Sequence, residues 1–305
     1  METKNFLFLL VILSFILSSC QTVQRKSSQP PPTPVPGVQP VEVKVTPGRV
    51  LPVGVYLGPG GMRTFAHIGV LRALQKAKIP VVAIGGLEWG GVIAASHSLS
   101  RGANEVEWQM MKLKKDQLPE QTLLKRSLEP KDSSRLFDFL RFVFAERSLE
   151  SGAIPFSCPA YDGEQTQFIT RGKARDGLMK CAVLPPLYSF YQSEGKQWIS
   201  GAVSPGDWSG ELKKAGAQYI IFVDVVGQGR VLSQAQYGAD PQLKALWAAI
   251  RGISKQQRQF AQMTIDVPMD IDLGDYDKRR DAIAAGERVA SGSVNDLLKA
   301  IGVNE

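Results

Sequence analysis

The chain has 305 residues, 44% of them apolar and 21% charged, and carries a net charge of +7. That balance suits one large globular domain and excludes a fibrous, collagen-like or wholly disordered chain. With two histidines and three cysteines there is no metal-ligand cluster, no cofactor motif accompanies them, and no nucleic-acid-binding motif goes with the positive charge. Metal, cofactor and nucleic acid are therefore set aside.

The chain opens on an apolar run from Phe6 to Leu17 that is broken only by Ser14. The run is too short for a permanent span and ends in small residues, so residues 1–19 read as a secretory signal. The sequence Leu17-Ser-Ser-Cys20 resembles a bacterial lipoprotein box, which implies acylation of Cys20 and a membrane anchor. Each buried methylene of such a chain contributes about 0.8 kcal/mol, so several chains hold durably. Gln21, where an aspartate would retain the protein at the inner membrane, implies by the same resemblance the outer membrane of a bacterial envelope. Residues 20–50 then contain Pro30, Pro31, Pro32, Pro34, Pro36, Pro40 and Pro47 with few large apolar side chains. This is an extended tether, rising roughly 3.1 Å per residue. The folded domain is expected over 51–305.

Within it, strand-like runs at 53–57, 80–85, 153–158 and 219–226 alternate with helix-like runs at 65–77, 91–99, 103–115 and 239–263. The alternation predicts an α/β layered fold, its sheet largely parallel, with helices on both faces. Val106, Met110 and Leu113 share one face of the third helix. Leu136, Phe139, Leu140 and Val143 share one face of a further helix over 132–147, starting from a cap at Asp132 or Ser133, and Phe137 and Phe144 widen that stripe. Cys158 and Cys181 belong to an exported chain, and either a disulfide or two buried thiols fits them.

Two glycine-rich turns carry the chemistry. The first, Leu57-Gly-Pro-Gly-Gly-Met-Arg63, follows a short apolar strand and enters a helix. Successive glycines there leave backbone N–H groups free to converge on an anion, so Gly60, Gly61 and Met62, with Arg63 beside them, form a candidate oxyanion or anion site. The second is Gly86-Leu-Glu88-Trp-Gly90, set between the strand-like Val81–Ile84 and a helix start at Val92. It has the frame of a nucleophile elbow, in which the central residue is held in a strained conformation and small flanking residues let the turn close.

Together with His67, Gly69, Val70, Leu71, the run from Lys180 to Tyr188 and Trp198-Ile-Ser-Gly-Ala202, these turns resemble the patatin-like phospholipase family over roughly residues 51–300. The resemblance implies a three-layer patatin-like fold and a Ser–Asp dyad, with serine in the elbow and aspartate in a later Asp-Gly motif. This chain departs from both: the elbow position is Glu88 and the Asp-Gly position is Ser200. Pro59 and Thr64 also replace glycines of the loop. The resemblance further implies that His67 packs behind the loop.

Three functions follow as expectations. The first is a catalytically inactive envelope lipoprotein that binds a lipid, a fatty acid or a protein partner. Its competitors are an acyl hydrolase working through non-standard residues and a docking scaffold with a closed pocket. In the first case Glu88 is expected to accept the hydrogen bonds once aimed at an oxyanion, and Arg63 either pairs with it or takes a phosphate or carboxylate. Ser96, Ser98 and Ser100 read as surface residues. Asp207 and Asp162 are weaker stand-ins for the missing aspartate.

Overall fold

The computed structural model describes residues 50–100, 102–118, 132–228 and 241–303. The expected signal segment, Cys20 and the expected tether up to residue 49 lie outside the described residues. The central sheet has eight strands: β1 (Val53–Leu57), β2 (Val81–Gly86), β3 (Phe156–Tyr161), β4 (Thr166–Ile169), β5 (Tyr191–Ser193), β6 (Lys196–Ser200), β7 (Tyr219–Asp224) and β8 (Met263–Asp266). Their order is β5-β6-β3-β2-β1-β7-β8, with β4 also paired to β3. The five strands from β3 to β8 run parallel, and the pairings of β3 with β4 and of β6 with β3 and β5 are antiparallel. The sheet is thus largely parallel.

Alternation along β1 and β7 explains the layering, because successive side chains of a strand point to opposite faces. Val53, Val55, Leu57, Tyr219, Ile221 and Val223 pack into one apolar cluster, whereas Tyr56, Ile220 and Phe222 pack into another. Helices α1 (Ala66–Lys76), α2 (Trp89–Leu99), α3 (Ala103–Met110), α4 (Ser134–Phe144), α5 (Ala174–Ala182) and α8 (Arg279–Ala300) contribute to the larger cluster. The smaller one is covered by the short α6 (Gly210–Lys214) together with Trp208 and Ala202. Part of α7 (Pro241–Gln257) serves each face, Leu243, Trp247 and Ile250 the larger and Ile253 the smaller.

Several boundaries differ from the sequence reading. The helix expected over 103–115 ends at Met110, yet Leu113 is still buried because the following turn folds back onto the core. The strand expected at 153–158 begins at Phe156, since Ala153 bonds to the Ser98 carbonyl and only from Phe156 does the ladder to β2 form. The helix expected over 239–263 ends at Gln257, and Met263 opens β8, which is drawn into the sheet by pairing with β7. Helix α8, the longest described, has no counterpart in that reading. Its alanines and glycines give a weak apolar stripe, and its position is decided by contact with α1. There Gly69 and Gly286 let the two backbones meet: a Cβ on Gly286 would lie 1.9 Å from the Ala66 carbonyl oxygen.

Cys158 and Cys181 are joined as a disulfide, with Cα atoms 6.2 Å apart, linking β3 to α5. It closes a loop of sequence separation 23, for which chain entropy predicts about 3 kcal/mol of stabilisation. Replacing both cysteines by alanine is expected to lower the urea-unfolding free energy by about that amount. A reductant should do the same to the wild type and nothing to the variant.

Candidate functional site

The two glycine-rich turns meet because β1 and β2 are parallel neighbours, with Leu57 opposite Gly86. Both therefore leave the sheet at its carboxyl edge, where open α/β sheets place their sites. The elbow closes only because its frame lacks side chains. A Cβ on Gly86 would lie 2.4 Å from the Gly90 carbonyl oxygen, and one on Gly90 would lie 2.5 Å from that of Gly58. Glu88, between them, takes φ 52° and ψ −129° and forms the N-cap of α2. That is a left-handed conformation in a residue with a Cβ, a strain that persists only where the surroundings enforce it.

The Glu88 side chain turns into the first loop. Its Oε2 accepts hydrogen bonds from the amides of Gly60 and Gly61, each at 2.9 Å. The carboxylate is 2% exposed, and burial holds its carboxyl above the usual range, opposed by the amides of Gly60, Gly61 and Trp89. Gly61 sits at φ 52°, which aims its N–H at the same point as that of Gly60. The structure thus brings Glu88, Gly60 and Gly61 together as one constellation.

Met62 and Arg63 do not join it. The Met62 amide bonds to the Leu273 carbonyl at 2.7 Å. The Arg63 guanidinium is buried and donates to the carbonyls of Val225 (2.9 Å) and Met269. Burial and the nearby Arg251 lower its pKa to about 10, while Asp272, Asp270 and Asp224 pull upward. Arg63 therefore binds the loop to the segments after β7 and β8, and its backbone placement beside the glycines does not carry its charge to them. Thr64, where a glycine was expected, donates to the Gly61 carbonyl at 2.6 Å.

His67 lies behind the loop, its Nε2 2.8 Å from the Gly58 carbonyl. Burial lowers its pKa to about 4, so it is a neutral donor there. Ser200 is fully buried at the end of β6 and caps its own turn, accepting from the Ala202 amide at 3.3 Å. Asp207 accepts from the Ser209 amide and hydroxyl and pairs with Lys213. Asp162 closes the β3–β4 hairpin through the amides of Glu164 and Gln165 and pairs with Lys196. Each of the three has a local structural task.

Ser96, Ser98 and Ser100 correct the surface reading, at 0%, 0% and 6% exposure. Helix α2 is enclosed on nearly every side, and Ser96 bonds to Gln109 while Ser98 bonds to the Ile154 carbonyl. Hydroxyls with such partners are readily buried.

Above Glu88 opens an apolar slot walled by Met62, Trp89, Leu118, Leu187, Trp247 and Leu273. It leaves about 30 Å³ for water-sized bodies, and Trp89 is braced by Phe139 of α4 with ring centres 6.0 Å apart. Trp247 and Leu273 escaped the sequence reading, because α7 and the segment before α8 reach the slot only through folding. Among the described residues no group of three His, Cys, Asp or Glu could hold a metal ion.

The profile of the patatin-like phospholipases matches residues 56–206, from within β1 to just beyond Ser200. The chain belongs to the patatin-like family. An uncharacterised NTE family protein of Mycobacterium tuberculosis is 25% identical to it over 160 residues, which is 50% of this chain and 42% of that protein. Lysophospholipase NTE1 of Coccidioides immitis is 28% identical over 211 residues, 65% of this chain and 13% of the fungal protein. Among solved structures, the type III effector protein ExoU aligns at 13% identity and a TM-score of 0.41, over 81% of this chain and 53% of that one. The chain spans less than half the length of these curated relatives. In this patatin-like domain the elbow is complete in its backbone, and a carboxylate stands at its apex.

Proposed function

We propose that this chain is a non-catalytic patatin-like lipoprotein, anchored through Cys20 at the outer membrane of a bacterial envelope, that binds a lipid or fatty acyl group in the slot above Glu88. One observation carries the reading: the Glu88 carboxylate takes the two amides, Gly60 and Gly61, that an oxyanion would need. Ester hydrolysis depends on such donors being open to the charge that develops in the transition state. A carboxylate at the nucleophile position would instead give an anhydride, and Ser200 is occupied with its own turn. The apolar walls and the names of the relatives, lysophospholipases among them, support an acyl ligand.

The narrowness of the slot favours a second reading, a docking scaffold with a closed pocket that engages a protein partner. About 30 Å³ holds a water or two, so an acyl chain enters only if its apolar walls part.

Lipid extraction with mass spectrometry, run beside a fluorophosphonate probe and esterase and phospholipase assays on the purified full chain, separates the readings. Stoichiometric co-extracted acyl lipid with no labelling and no turnover is the expected result. Labelling with turnover makes the chain an active hydrolase. An empty slot combined with a partner captured in the envelope makes it a scaffold.

A further inference from the structure

Four large apolar side chains among the described residues stand out as exposed, and two of them share one patch. Trp108 of α3 is 63% exposed and Phe142 of α4 is 65% exposed. Lys112 joins them: its ammonium lies 2.9 Å from the Trp108 ring centre and 5.1 Å from that of Phe142. Leaving two large rings in water forfeits burial that most core aromatics obtain, so their position calls for a partner.

The charges around them select which one. Three of the nearby acidic side chains are paired, Glu107 with Arg72, Asp116 with Arg135 and Asp138 with Arg141, and Glu105 accepts from Gln109. Lys112, Lys114 and Lys115 have no acidic partner among the described residues, and the last two are exposed. A pair of aromatic rings with uncompensated lysines beside them matches the interface of an anionic bilayer. There rings settle at headgroup depth while the ammonium groups remain among the phosphates. An acidic protein would be met by the lysines, but it would not need two rings standing clear of the surface.

The patch and the slot draw on the same two segments of the chain. Three residues before Phe142, Phe139 turns inward onto Trp89, and six residues after Lys112, Leu118 forms part of the slot wall. We infer that Trp108, Phe142 and the lysines at 112, 114 and 115 form a surface that docks on anionic lipid and sets the slot beside the membrane interface. This goes beyond the lipid-pocket reading and stands or falls separately from it, since the slot can be empty while the patch is docked.

The tryptophans provide the test. Trp89, Trp198, Trp208 and Trp247 are 2–3% exposed, so a quencher held in the bilayer reaches Trp108. A brominated acyl chain inside the slot would instead quench Trp89 and Trp247, a fall shared by vesicles with and without the anionic lipid and untouched by Trp108→Phe. The full chain is mixed with vesicles of brominated phosphatidylcholine, with or without brominated phosphatidylglycerol. Fluorescence is expected to fall with the anionic vesicles, and Trp108→Phe should remove that fall while leaving the emission of the buried tryptophans unchanged. Reversing the three lysines to glutamate should raise the lipid concentration needed for half-maximal quenching at least about tenfold. An acyl anchor at Cys20 can hold the chain to vesicles without touching Trp108, so anchoring alone does not imitate the result. Vesicle-bound protein with unquenched Trp108, or equal quenching without phosphatidylglycerol, overturns the inference. So does a photo-crosslinker at position 108 that captures a protein while lipid quenching is absent.

Discussion

Removing the Glu88 carboxylate is expected to destabilise the domain and at the same time create an anion site. In Glu88→Ala the amides of Gly60 and Gly61 lose their acceptor while remaining enclosed by Val225 and Leu273. Each buried, unpaired N–H costs about 1–3 kcal/mol, so the variant should lose up to about 4 kcal/mol once relief from carboxylate burial is allowed for. An added fatty carboxylate or phosphate would then supply the missing oxygen. A ligand at a hundred times its dissociation constant restores about 2.7 kcal/mol, visible as a rise in Tm that the wild type does not show. Equal stability of the two proteins, with neither responding to anions, would mean that the carboxylate is not what fills the loop.

Glu88→Gln separates charge from hydrogen bonding, because its amide oxygen can still accept from both glycines. Burial raises the Glu88 pKa in the fold, so the folded state favours the protonated acid. The stability this gives is complete below the ordinary carboxylate range and is lost as pH rises through the raised value. Glu88→Gln has no such loss. Its stability relative to wild type should therefore grow with rising pH, measured as urea-unfolding free energies across the acid-to-neutral range. A difference independent of pH would show that burial does not dominate the site.

The second large effect lies at the crossing of α1 and α8. In an isolated helix, Gly→Ala gains about 0.5–1 kcal/mol. At Gly286 the sign should reverse, since the new Cβ would stand 1.9 Å from the Ala66 carbonyl oxygen and backbone is the part that cannot step aside. Forcing the helices apart in Gly286→Leu should cost about 4 kcal/mol or more, beyond ordinary overpacking. The damage should reach the site, because Ala66 begins α1 directly after the turn Gly61–Phe65. Fluorescence of Trp89, which walls the slot, should change along with stability. A variant as stable as wild type would show that the helices cross less closely than described.

How much of this was legible in the chain itself varied with the range of the interaction. Local rules marked the elbow, since Gly86 and Gly90 beside a short apolar run have few other uses, and they marked the loop glycines by the same logic. They placed Leu136, Phe139 and Leu140 on one buried face, because helical spacing needs no knowledge of the partner. They failed for Ser100, and for Ser96 and Ser98, whose hydroxyls are buried because Gln109 and Ile154 arrive from elsewhere. They failed also for α8, whose small residues carry little periodic signal and whose close approach to α1, Gly286 on Ala66 and Ile283 on Gly69, exists only in the fold.

The sequence by itself determined that a strained turn exists with an acidic residue at its apex, because φ/ψ demands and glycine spacing are properties of a few adjacent residues. By resemblance to the patatin-like family it also set Glu88 and Ser200 at the positions where a Ser–Asp dyad is expected. Only the tertiary structure decided where the charges went. The parallel pairing of β1 with β2 put Glu88 on the amides of Gly60 and Gly61, while the ends of β7 and β8 drew Arg63 away to their carbonyls. Both groups were adjacent to the loop in sequence or motif. Hydrogen bonds under about 3 Å are settled by which strands are neighbours, and that order is not written in any local stretch of the chain.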